Sequence, residues 1–143
     1  MNAIVSPAEL ADFAASRKYT DRFSVAAEDM EGYAALSGDR SPVHSAADFA
    51  RRLGLEGRVV YEGLIVARLQ RLIGMNVSGP GGSLWAGLRI DFHHPLYVGE
   101  PAVMTLRVDE ALPVSGMTRL SFRVEAGGRR VADGAVDTLL RPA

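Results

Sequence analysis

Residues 63–74 place Leu64, Ile65, Val66, Ala67, Leu69, Leu72 and Ile73 around most of the circumference of a predicted helix, leaving Arg68, Gln70 and Arg71 as its polar positions. A helix apolar on most faces has to be surrounded by other structure. Ile65 and Val66 are β-branched and lend modest propensity, so packing rather than local preference must hold this segment. Whatever fold the chain adopts must supply walls for it.

The second half of the sequence supplies candidates. Leu88, Ile90 and Phe92 alternate with Arg89, Asp91 and His93. Ala102, Met104, Leu106 and Val108 alternate with Val103, Thr105, Arg107 and Asp109, and Leu120, Phe122, Val124 and Ala126 alternate with Arg119, Ser121, Arg123 and Glu125. A period of two predicts antiparallel strands with one buried and one wet face. Gly99, Pro113, Gly116 and Gly127-Gly128 punctuate them as turns, and a further strand is expected over about 130–140. One buried helix laid on an antiparallel sheet is an α+β architecture.

The first half reads mainly as helix. Ser6-Pro7-Ala8-Glu9 has capping-box spacing with proline at the first helical position, predicting a short helix over 7–16. A strand is expected from Tyr19 to Phe23. A helix over 27–37 follows from Met30, Tyr33, Ala34 and Ser37, with Gly38 placed for a left-handed cap. Ser41-Pro42 can open another helix, with Arg51 and Arg52 suiting the dipole of its last turn and Gly54 ending it. At 143 residues the chain is read as one domain.

The inventory of reactive side chains is short. There is no cysteine, which removes thiol nucleophiles, thiolate metal sites and disulfides. Lys18 is the single lysine, leaving little room for Schiff-base or phosphate-loop chemistry. A net charge of −1 gives no case for nucleic acid, and no run approaches the about 20 apolar residues of a membrane span. No secretory signal pattern opens the sequence, so a cytoplasmic location is expected. General acid–base chemistry falls to His44, His93, His94 or the carboxylates and tyrosines.

His93 and His94 end a strand before Pro95 and read as an exposed residue and a hydrogen-bonded structural one. His44 stands apart. It follows Asp39 by five residues, across a helix end, a turn and a helix start, which can fold both side chains toward one water molecule. The same spacing also fits a capping aspartate beside a packed histidine, and spacing alone does not separate the two.

Residues 33–44 resemble the signature of the MaoC-like (R)-specific enoyl-CoA hydratases, an aromatic residue followed by Ser-Gly-Asp-x-Asn-Pro-x-His. The match runs through Tyr33, Ser37, Gly38, Asp39, Pro42 and His44, with Ser41 standing where the family usually has asparagine. The similarity continues through Asp48-Phe49-Ala50 and the apolar helix. Phe92-His93-His94-Pro95-Leu96-Tyr97-Val98-Gly99-Glu100 resembles the family's Phe-x-x-Pro-x-x-x-Gly-Asp. Most of the chain from about Tyr19 onward is covered.

The resemblance implies a hot-dog fold, an antiparallel sheet wrapped around a long central helix, usually as a homodimer. It implies reversible hydration of trans-2-enoyl thioesters to (R)-3-hydroxyacyl thioesters, with an acyl-CoA or acyl-ACP substrate and without metal or redox cofactor. Asp39 and His44 take the places of the pair that holds the reacting water. The family's oxyanion donors are backbone N–H groups in a His-Gly-Met run at the start of the central helix. Ungapped, Tyr61-Glu62-Gly63 lies over that run, with Glu62 at the oxyanion glycine; a one-residue insertion returns Gly63 to it. Glu62 then either complements the helix N-terminus or acts as a third acid–base group. Tyr61 either lines the acyl pocket or packs. Ser41, Tyr61, Glu62 and Gly63 are thus the candidate substrate- and oxyanion-binding residues, beside Asp39 and His44. Two rival functions share the fold: an acyl thioesterase with Glu62 as base, and a non-catalytic acyl-binding subunit.

Overall fold

A computed structural model describes residues 17–77, 82–112 and 115–140. The helix expected over 7–16 and the turn at Pro113 lie outside these residues. In chain order the elements are β1 (Lys18–Phe23), α1 (Ala27–Ser37), α2 (Pro42–Ser45), α3 (Ala47–Arg52), α4 (Glu62–Asn76), β2 (Ser83–Phe92), β3 (Ala102–Leu112), β4 (Met117–Ala126) and β5 (Arg129–Leu140). The strands form one sheet in the order β1-β3-β4-β5-β2, and every pairing is antiparallel. This is the α+β hot-dog arrangement expected above.

The alternation in β3 and β4 is obeyed. Met104, Leu106, Leu120, Phe122 and Val124 are buried, joined by Val136 of β5, and together they make the inner face on which α4 lies. Arg119 pairs with Asp137, Arg107 with Asp109 and Arg123 with Glu125 on the outer, wet face. The helix expected to run from residue 42 to Arg52 is instead two short helices, because Ala46 adopts an extended conformation between them.

Two expectations about burial change. α4 buries a single stripe, Ile65, Leu69, Leu72 and Ile73, while Ala67 and Met75 are exposed. It lies across β1 and β3, where Arg68 reaches Asp21 at 2.9 Å and stacks over Phe23. The far edge of the sheet is therefore uncovered. Leu88 and Phe92 of β2 are each 43% exposed and Leu84 is 56% exposed, although their periodicity marks an apolar face. Periodicity names the apolar side of a strand but not what covers it.

His93 is exposed, as expected, and pairs with Asp133 at 3.0 Å. His94 is exposed too, rather than on the covered face, and its Nδ1 lies 2.9 Å from the Arg130 carbonyl. Arg129 is half-buried, bonds Glu100 at 2.6 Å and lies over Tyr97, fastening the β4–β5 turn to the loop at 95–100. Among the described residues no helix is long and apolar enough to cross a membrane.

Gly134 of β5 faces Ile90 of β2, and any Cβ there would overlap the Arg89 carbonyl oxygen. Backbone cannot retreat as a side-chain tip can. Gly134→Ala should cost about 1–3 kcal/mol of stability by forced overpacking. The check is urea unfolding, read as a lowered midpoint at unchanged slope.

Candidate functional site

The site is built by three chain segments that meet at the N-terminus of α4. The first is the end of α1. Gly38, at φ 78°, takes the left-handed cap that its sequence position anticipates, and its N–H bonds the Ala34 carbonyl. The chain then turns on Asp39. Its N–H donates to Ser37 Oγ at 3.1 Å, and its Oδ1 accepts both the Ser41 N–H at 2.9 Å and the Ser41 hydroxyl at 2.6 Å. This is an aspartate-centred turn. The Ser41 hydroxyl holds the Asp39 carboxyl below the usual carboxylate range, helped by the Ser41 N–H, opposed by burial and aided by the nearby His44.

Ser41 precedes α2, but its side chain makes no cap bond; its hydroxyl donates to Asp39. Pro42 starts α2 and brings His44 inward, where it is 7% exposed. His44 Nδ1 lies 2.7 Å from the Val59 carbonyl oxygen. A carbonyl only accepts, so Nδ1 carries a proton there and Nε2 is the ring nitrogen left to face the site. Arg58 Nε donates to the His44 carbonyl at 2.9 Å, and Arg58 in turn reaches Glu31 at 3.7 Å. Residues 58–60 are held by the 96–98 segment through Val60 N–H to Leu96 O at 2.8 Å and Val98 N–H to Arg58 O at 3.1 Å.

The third segment is Tyr61-Glu62-Gly63. Tyr61 is buried, stacks on the His44 ring at 4.2 Å between centroids and 26° between planes, and donates its hydroxyl to the Asp39 backbone carbonyl. Burial, then the charge of Asp39, pushes its phenol up, so it stays a donor. Of the two expectations for Tyr61, the geometry gives packing: it is a brace between His44 and Asp39, and its hydroxyl is already engaged. Tyr33 tilts against Tyr61 at 4.9 Å, and its hydroxyl fills the space that any Cβ on Gly63 would need. Glycine at 63 thus lets α1 approach the start of α4.

Glu62 opens α4, and its Oε2 stands 3.8 Å from His44 Nε2. No side chain caps this helix, so the N-terminal N–H groups are left to other partners. Among the described residues no hydrogen bond or ion pair joins Asp39 to His44; the carboxylate that faces Nε2 is that of Glu62. A cleft of about 330 Å³ opens beside Glu62, lined by Val43, Val60, Ile65, Phe92 and Leu96. A second, about 450 Å³, runs between α1 and α4 past Tyr33, Leu36, Leu64 and Ala67. Among the described residues there is no cluster of three or more His, Asp or Glu side chains suited to a metal.

The sequence reading missed Val59 and Arg58 as parts of the site, and had Tyr33 only as the aromatic position of the signature. Val59 contributes through its backbone, which no residue type announces. Arg58-Val59-Val60, a short extended run before the helix, was the available signal.

Comparison with known proteins follows the same lines. The family model described as MaoC like domain matches residues 8–125. The (R)-specific enoyl-CoA hydratase of Aeromonas caviae is 30% identical over 124 residues, 83% of this chain and 88% of the relative. The 3-hydroxybutyryl-CoA dehydratase of Methylorubrum extorquens is 26% identical over 110 residues, 77% of this chain and 69% of the relative. Among solved structures, the unliganded R-hydratase of Pseudomonas aeruginosa superposes with a TM-score of 0.77 at 27% identity, covering 98% of this chain and 89% of its own. The (R)-hydratase of A. caviae gives a TM-score of 0.82 at 24% identity, covering 88% and 96%, a likeness of fold.

Removing the Ser41 hydroxyl tests the turn. Asp39 has a depressed folded value, so its stabilisation is present above its unfolded value and lost as pH falls through the folded one. In Ser41→Ala the Asp39 carboxyl should titrate at higher pH, toward the ordinary carboxylate range, and the loss of stability in acid should be smaller. Carboxyl carbon shifts of Asp39 followed by NMR across the acid range give the answer.

Proposed function

The chain belongs to the MaoC-like domain family, and from that premise we propose that it is a hydro-lyase acting on acyl thioesters. The reaction is the reversible hydration of a trans-2-enoyl thioester, carried by coenzyme A or acyl carrier protein, to the (R)-3-hydroxyacyl thioester. The observation that carries this reading is His44. Its Nδ1 bond to the Val59 carbonyl leaves Nε2 as a fixed proton acceptor at the uncapped start of a 15-residue helix.

Hydration needs three things at once. Water must give up a proton as its oxygen bonds C3, C2 must gain one, and the thioester oxygen must carry enolate-like charge between the two events. His44 Nε2 takes the first proton and returns it to C2, so the ring ends as it began. Asp39, kept anionic by Ser41, orients the water with His44. The free N–H groups of Glu62 and Gly63 at the N-terminus of α4 receive the thioester oxygen. No metal or redox group is required by these steps.

The partner in assembly is a second copy of this chain. β2 is an outer strand whose second edge is unpaired within the described sheet, and Leu84, Leu88 and Phe92 project from it half-exposed. An unpaired strand with an apolar face is a ready template for its own kind.

The rival thioesterase reading draws on the carboxylate of Glu62 beside His44. The two reactions give different products, loss of the conjugated enoyl thioester against release of free thiol. With crotonyl-CoA, hydration without thiol release is expected. Asp39→Asn and His44→Ala should each lower its rate by about a hundredfold or more, the scale of acid–base catalysis; turnover near that of the wild type in both would overturn the assignment. In sedimentation velocity the wild type should run as a dimer, and Leu88→Asp should shift it to monomer.

A further inference from the structure

We propose that Glu62 is a ligand of the reacting water, sharing it with His44 Nε2, and so a catalytic residue of the hydration proposed above, on which this inference rests. Three observations lead there. First, His44 Nε2, the ring nitrogen not bonded to Val59, and Glu62 Oε2 face each other 3.8 Å apart. Second, that gap is too long for a hydrogen bond and suits one water molecule. An oxygen placed at about 2.8 Å from both atoms subtends close to a right angle, near the angle between water's own two O–H bonds. A water there donates to both atoms and keeps its lone pairs for the substrate carbon. Third, Asp39 is turned to Ser41: its Oδ1 accepts two bonds from Ser41, and among the described residues no hydrogen bond or ion pair joins it to His44. Glu62 is the carboxylate within reach of Nε2, so it takes the O–H of the water that the reading above gives to Asp39, and Asp39 acts through its charge and its turn with Ser41.

The balance closes without another reagent. As the water oxygen bonds C3, one O–H bond breaks and its proton passes to Nε2, while the C2=C3 electron pair moves into the enolate. The imidazolium then gives that proton to C2. The second O–H survives as the product hydroxyl, with Glu62 accepting its hydrogen bond throughout and neither gaining nor losing a proton. In the dehydration direction Glu62 holds the departing hydroxyl. The resembling family signature has glycine at this position in the ungapped register, so the contribution belongs to this chain's own sequence.

An acceptor and a charge are separable by substitution. Glu62→Ala removes both, while Glu62→Gln keeps a carbonyl acceptor and loses the charge. With crotonyl-CoA, Glu62→Ala should lose roughly ten- to a hundredfold in kcat, the worth of one hydrogen bond to a charged group. KM should stay within about twofold, and Glu62→Gln should recover most of the loss. A residue that merely complements the helix N-terminus would lower thermal stability in both variants and leave kcat alone. If Glu62→Ala keeps full kcat while His44→Ala is inactive, the hydratase reading stands and the role of Glu62 falls. A crystal structure of the unliganded wild type decides the matter independently of turnover. A water oxygen within about 2.7–3.2 Å of both Nε2 and Oε2 is expected, and a resolved site without one overturns the proposal. If no enoyl thioester is hydrated at all, the reaction assigned above fails, and with it the catalytic role of Glu62.

Discussion

The structure turns on how one helix stripe meets one sheet face. Ile65, Leu69, Leu72 and Ile73 bury against β1 and β3, and Arg68 anchors the same contact by reaching Asp21 beside Phe23. Each of the four apolar side chains is worth about 1.5–3 kcal/mol when removed from water. That packing fixes where the N-terminus of α4 stands, and so where Glu62 and the first free N–H groups are presented. It also leaves the β2 edge and the outer side of α4 exposed. The site and the uncovered sheet edge are two results of the same off-centre placement.

Around that helix terminus the site is secured by groups that do no chemistry. Tyr61 lies under the imidazole and holds the Asp39 backbone, the Val59 carbonyl chooses which ring nitrogen carries the proton, and Ser41 keeps Asp39 ionised. In the proposed reaction the reacting groups are few and the supporting groups are many. This is the usual economy of a site whose geometry must be right before substrate arrives.

Much of this was legible in the residues themselves. Gly38 ends α1 where a left-handed cap was expected, the alternation of β3 and β4 gave the buried face directly, and His44 stood out because three histidines were available. The remainder depends on information that side-chain identity does not carry. A backbone acceptor such as Val59 looks like any other valine. The neighbour of His44 is Glu62, eighteen positions away, rather than Asp39, five away, because α2 turns the ring toward the helix start. The apolar pattern of 63–74 overstated its burial for a related reason. Composition measures how much of a surface prefers to leave water, while a single chain provides cover for only part of it.

The strap that holds residues 58–60 to 96–98 has a consequence for dynamics. Everything else that shapes the imidazole comes from a stretch between residues 33 and 63, local in sequence and quick to assemble. The Val60–Leu96 and Val98–Arg58 bonds are the long-range fastening, and the loop they grip is itself tied down by Glu100 and Arg129. Local opening of that loop would free the Val59 carbonyl and, with it, the orientation of the ring, while the sheet stays intact. Amide exchange at Val60 and Val98 therefore reports the fraction of time the imidazole is correctly held, a quantity separate from global stability and tunable by a residue as remote as Arg129.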